Sequence, residues 1–585
     1  MHHQRLKRVF TYVLCWLLAT QPVWAGIEVD SNRQNNATLT SAGNGVPVLN
    51  IAAPNAQGLS HNQFEQYDVG QAGLILNNAT DKLVQSQLAG YLQGNSQLNG
   101  QAASVILNEV TGANRSQLNG YTEVLGQQAN VIVANPYGIT CDGCGFINTS
   151  RATLTTGVPQ FQNGLLSGFD IRQGDVTILG EGLDATGQDY FDILSRTAKI
   201  NADIHANQLS IVTGPNQIDY LTNEVTATHD LKDKPLLAID SSVLGGMYAG
   251  RISLVATEQG VGVNTGKLFS SVGDIQLSAD GQITLGDVRS QQSLKVASNQ
   301  SVTTTGTQQA GQQIEYTAAD SLSLHSENSA TRVQASAGQQ IHQTGLINAG
   351  ESASFEASEV LLTQAETSAQ QIDIQAGTLA INQSTLTAGL TSDGSETGTG
   401  TLSIQVAEAT LSDSAVQVSG HFNGEINQLT LDSSSVVAAE QAVLSDTARL
   451  NNDGQIRVKQ GFTLASEQSL EFMGSGNVSA DSLTVQANEI KNQSKLTAAS
   501  EMTVEAETLI NDGQLISHGQ QHISAGTLSN QGTLASAGAQ AIDVTGQLRN
   551  TGMCRRLANN RSRQPCSYNR GMWPEIKRSG LKPEA

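Results

Sequence analysis

The sequence predicts an all-β fold, a right-handed parallel β-helix (β-solenoid) in which one ribbon winds upon itself. Three observations carry that expectation. Segments NDGQI, NQSKL, NDGQL and NQGTL begin at Asn452, Asn492, Asn511 and Asn530, and Asn550 extends the series, so the spacings are 40, 19, 19 and 20. One unit is therefore about 20 residues with one degenerate copy, a period that indicates a solenoid of strands and turns rather than paired helices. Aromatic residues are 4%, charged residues 14% and Gly 57 of 585, which suits closely spaced turns better than a compact globular core. Apolar runs of four or five residues between Asn and Gly, such as VPVLNIA, AGLILNN, ASVILNEV and NVIVAN, read as short strands buried on at least one face.

In chain order, residues 1–25 read as a secretory signal. Arg5, Lys7 and Arg8 form the positive end, Val9 to Ala19 the apolar core, and Val23-Trp24-Ala25 a cleavage site before Gly26. A membrane anchor is the rival reading, but spanning takes about 20 apolar residues and this run has roughly half that. Such a signal implies inner-membrane export through the Sec translocon. Charge follows the same division. The chain carries -21 overall, residues 1–25 hold no acid, and 553–585 hold eight bases against Glu575 and Glu584, so the body between is more acidic than the whole. An acidic body repels phosphates, which argues against nucleic acid as a partner.

From Gly26 to about Ser270 the strand-and-turn pattern holds, with a short helix admitted near Tyr190 to Ala198. Within it, NVIVANPYGITCDGCGFINTSRATLTTG (Asn130 to Gly157) is the most informative stretch. An apolar strand stops at Asn135-Pro136-Tyr137-Gly138, where Pro fixes φ and Asn and Gly tolerate positive φ, so a tight turn is expected. A second, two-residue reversal is expected at Asp142-Gly143, bringing Cys141 and Cys144 together. In an exported protein that C-x-x-C reads most simply as a local disulfide. Zinc would need two further ligands, and a redox role a βαβ setting.

This stretch resembles the secretion domain of two-partner secreted exoproteins, the filamentous haemagglutinin and contact-dependent growth inhibition toxin family, which also includes secreted haemolysins. The family motif NPNGI is matched by Asn135-Pro136-Tyr137-Gly138-Ile139, with Tyr for the second Asn. An NPNL motif is matched at Asn95-Ser96-Gln97-Leu98 by Asn95 and Leu98 alone. Further matching blocks are Gly73 to Thr80, Ser104 to Gly126 and Leu244 to Gly266, so the resemblance covers about Asn36 to Gly266. It implies a capped secretion domain over 26–270 that addresses the chain to an outer-membrane β-barrel transporter with POTRA domains. Asn95, Leu98, Asn135, Pro136 and Gly138 are then candidates for transporter targeting or, equally, for shaping the corners of the solenoid.

Residues 271–552 carry the repeats. Coils about 4.8 Å apart would extend them on the order of 70 Å, with ends that need capping against strand addition. At 553–585 the charge turns basic and Cys554, Cys566 and Trp573 appear, so the repeat is expected to stop at Gly552. A shifted reading frame that truncates the exoprotein, or a genuine basic tail, accounts for this. Catalysis finds little footing. GVGVNTGKL (Gly260 to Leu268) lacks phosphate-loop spacing, the His residues form no H-E-x-x-H, and no nucleophile–base pair stands out. No metal or cofactor is implied, and any toxin domain would lie beyond this chain's end. The expected product is a surface or secreted protein that passes the periplasm and forms a stalk for adhesion or contact-dependent inhibition, with an unidentified target-cell receptor. A haemolysin of the same secretion class and a carbohydrate-active β-helix enzyme are the alternatives.

Overall fold

The computed structural model describes residues 26–33, 37–228, 233–241, 244–389, 397–556 and 568–570. The signal expected over 1–25, with its cleavage point after Ala25, lies outside them, as does most of the basic tail. Two compact units divide the chain, Met1–Gln292 and Ser293–Ala585. Among the described residues the regular structure is strand, apart from one 3-10 turn at Ser96–Leu98.

The first unit begins with antiparallel pairs. Ile27–Val29 runs against Leu59–Tyr67, and Thr38–Ser41 against Pro47–Asn50. Thereafter the ladders are parallel. Ile106, Val131, Ala152, Phe191, Leu209, Ile252 and Ile275 are register partners in turn. Each is at most 2% exposed, so one residue per coil builds a continuous apolar column. Full burial of one such aliphatic side chain contributes ~1.5–3 kcal/mol, which no isolated coil could obtain.

Two elements stand outside the winding. Leu83–Ser86 and Gly90–Gln93 form a hairpin. Val158–Gln162, Leu165–Asp170, Asn216–Asp219 and Val225–Ala227 form a four-stranded antiparallel sheet in that order. Leu166, Phe169, Ile171 and Ile218 from this sheet segment pack on Ile132, Ala134, Leu194 and Val212 of the β-helix. That second core explains why NVIVA is apolar without alternation: its strand is buried on both faces.

The second unit keeps its period in space. Ile314, Val333, Ala353 and Ile372 are successive partners, and so are Leu402, Phe422, Ala442, Phe462, Leu483 and Met502. Ile372 pairs with Leu402 across a longer connection. The degenerate copy is located as well: Asn492 pairs in register with Phe472, where the later coils carry Asn, and Gly474 lies against the backbone of Asn452.

Three expectations change. The helix near Tyr190 to Ala198 is instead two strands, Tyr190–Ser195 and Thr197–Ile200, because its β-forming side chains pair with Arg151–Thr155 on one side and Leu209–Thr213 on the other. Asp142-Gly143 makes no reversal. It is an irregularity inside one strand, Ile139–Ile147, whose register on Asp175–Ala185 shifts between Asp142 and Cys144. Gly143 takes φ 72 there, and the strand bends without turning back. The ladder also passes Gly552, since Met553–Arg556 pairs in parallel with Thr533–Ser536 through backbone groups that need no repeat in the side chains.

Candidate functional site

The two Asn corners share one construction. After the strand Asn130–Ala134, the Gly138 N–H donates to the Asn135 carbonyl at 3.0 Å, closing a four-residue turn with Gly138 at φ 109. The Asn135 side chain is wholly buried and saturated. Its Oδ1 accepts from the Tyr137 N–H at 2.9 Å, and its Nδ2 donates to the Asn114 carbonyl and Ser116 Oγ, both at 2.9 Å. Asn95 repeats this at the 3-10 turn. Its Oδ1 accepts from the Gln97 N–H at 3.0 Å, while Nδ2 donates to the carbonyls of Ile51 at 2.9 Å and Asn77 at 3.1 Å. One amide thus fixes a local turn and ties it to adjoining coils. A carboxylate has no N–H donors and Ser cannot reach both sides.

The remaining candidates follow from these corners. Leu98 is buried under the 3-10 turn, Pro136 is half-buried, and Tyr137 is the exposed tip at 47%. Asn95 and Asn135 share no hydrogen-bond partner, so they form two separate corners. Cys141 and Cys144 lie on the strand that leaves the Asn135 turn, buried, with their sulfurs 2.03 Å apart. Gly26 accepts from the Asp68 N–H at 3.2 Å.

Sequence reasoning missed the ion pair beneath the turn. Arg115 donates to both carboxylate oxygens of Asp175 at 2.8 Å, and further to Thr140 Oγ1 at 2.6 Å and the Ile139 carbonyl at 3.1 Å. A Cβ on Gly138 would lie 2.6 Å from the Arg115 guanidinium, and one on Gly174 2.6 Å from the Pro136 carbonyl, so the turn is clasped from both neighbouring coils. Burial opposes the charge on Asp175, but the Arg115 guanidinium and the Thr177 hydroxyl outweigh it and hold that carboxyl below its ordinary value. The one available signal was an Arg in an acidic body, directly ahead of the strand Ser116–Leu118. Nothing in the spacing pointed to Asp175.

A second ion pair fastens the four-stranded sheet. Arg151 Nε donates to Asp192 at 2.6 Å and its Nη2 to Asn223 Oδ1 at 2.7 Å, with the guanidinium 5.4 Å from the Tyr220 ring centre. Burial pushes the Asp192 carboxyl above its ordinary value against the pull of Arg151.

Against this geometry stand the known proteins. The TPS secretion domain family matches residues 25–285. A "tRNA nuclease CdiA" of Yersinia mollaretii is 51% identical over 286 residues, covering 48% of this chain and 10% of the relative. A "16S rRNA endonuclease CdiA" of Enterobacter cloacae subsp. cloacae is 47% identical over 320 residues, covering 54% of this chain and 10% of the relative. The chain thus spans about a tenth of the length of these curated relatives. A crystal structure of the filamentous hemagglutinin secretion domain aligns at 34% identity over 50% of this chain and 99% of its own, with a TM-score of 0.47.

Proposed function

We propose that this chain, whose residues 25–285 match the TPS secretion domain family, is addressed to a partner outer-membrane β-barrel transporter and threaded outward. The observation that carries the reading is the family match itself, lying over a parallel ladder that needs nothing but the coil below it to form. The transporter's POTRA domains take an extended segment by β-augmentation on the periplasmic side. Coils then stack outside one upon another, since a solenoid grows from an existing end. Folding outside biases movement outward without a nucleotide.

The names of the relatives favour a stalk for contact-dependent growth inhibition over a haemolysin. The nuclease in those names belongs to proteins about five times longer, and an effector of that kind would be carried beyond the stalk. Burial of the Asn95 and Asn135 amides supports a part for both in shaping the address rather than in touching the transporter. Export decides the matter. Cells expressing the chain with its transporter should place it outside. Cells without the transporter, or with residues 26–285 deleted, should keep it in the periplasm. Equal export in all three contradicts the proposal.

A further inference from the structure

On the first unit a cleft of about 490 Å³ runs between the outer face of the β-helix and the four-stranded sheet. Asp192, Ser210, Ser253 and Gln276 are register partners in turn, so polar side chains repeat along its floor at the coil spacing of ~4.8 Å. Beside them run Val212 and Val255, which with Ile218 and Val225 of the small sheet make one flank apolar. Tyr190, 49% exposed, offers an aromatic surface in the same cleft.

Charge and backbone narrow the ligand. Asp192 is already ion-paired to Arg151, and the other two charged lining residues, Arg251 and Asp274, are of opposite sign. No net charge is left to attract an anion or a cation. The floor strand Ile204–Thr213 is paired on both sides, with Tyr190–Ser195 and Gly246–Ala256, so its backbone is committed. A peptide carries most of its polar groups in its main chain and would want a long unpaired edge, whereas the outermost strand beside the cleft, Val225–Ala227, is three residues long. A sugar chain carries hydroxyls that suit Ser, Gln and Arg, and C–H faces that pack on Tyr and Val. The volume lies within the ~300–1,000 Å³ of small-ligand sites.

We infer that this cleft binds a neutral oligosaccharide, its hydroxyls on the Ser210–Ser253–Gln276 row and a ring face against Tyr190 or Val255. The inference is independent of the export route, because it concerns the folded face of the first unit. The full chain is screened on an array of neutral oligosaccharides, with sialylated and sulfated glycans and extended peptides as comparisons, and the best neutral ligand is titrated by calorimetry. Saturable binding is expected, weakened at least tenfold by Gln276→Ala on the exposed floor and lost in Ser253→Trp, which fills the cleft. Circular dichroism of Gln276→Ala should match that of the parent. Binding to no neutral glycan, preference for charged glycans or peptides, or affinity unchanged by Gln276→Ala overturns the assignment.

Discussion

At the scale of single residues, the two corners of the first unit rest on buried amide groups. Asn135 satisfies one donor and two acceptors, so Asn135→Ala strands the buried Ser116 hydroxyl and breaks two further, part-buried bonds. Each unpaired buried group costs about 1–3 kcal/mol, and the variant should lose at least that much in urea unfolding. Asp175 gives a pH dependence whose sign is fixed. Its folded pKa lies below the ordinary carboxylate value, so its stabilisation is complete above that value and disappears as pH falls through the depressed one. Arg115→Met should remove that portion of the acid sensitivity, measured as the slope of unfolding free energy against pH. Asn135 could be read from the sequence because Asn-Pro ahead of a Gly has few other uses. Asp175 could not, because register alone brings a residue 60 positions away beneath Arg115.

At the scale of elements, the repeat read from the Asn series becomes a column of amides. Asn492 donates to Asn511, Asn511 to Asn530 and Asn530 to Asn550, each at 2.7 Å. The column is interrupted at Phe472, the register partner of Asn492, and Asn452 of the preceding coil is buried with neither amide atom partnered. Two otherwise alike substitutions should therefore differ in sign. Asn511→Leu breaks three bonds and should destabilise by ~1–3 kcal/mol, whereas Asn452→Leu removes an unpaired buried amide and should be neutral or stabilising by thermal unfolding. Glycine gives a matching contrast. Gly474, at φ 96 with the Asn452 backbone 2.3 Å from its Cβ position, should not tolerate Ala, while Gly461, with nothing within 4 Å, should gain up to ~1 kcal/mol. Strand content and coil period were legible because every coil repeats the same burial problem. The helix expected at Tyr190 and the reversal expected at Asp142 failed for a common reason. Pairing from coils distant in sequence overrode the local preference at Tyr190, and held Asp142-Gly143 as a bend in a continuing strand.

At the scale of the whole molecule, each compact unit is a parallel stack, and the first holds the residues that match the TPS secretion domain family. The four-stranded sheet laid on it was not foreseen, since VPQFQ and NQID look like any other short strands; only the unalternated NVIVA hinted that something covers the outer face. If the address is the shape of the first coils, the buried corners act through that shape. Export efficiency should then follow folding stability across Asn95→Ala, Asn135→Ala, Gly138→Ala and Arg115→Met. The decisive measurement sets the two against each other for these four variants: secreted fraction with the transporter present, and unfolding free energy of the purified chain. A single rising curve is predicted, with Asn135→Ala low on both axes. Asn135→Ala folding as stably as the parent yet failing to leave the cell would contradict it, and would move that residue from the frame of the domain to its contact with the transporter.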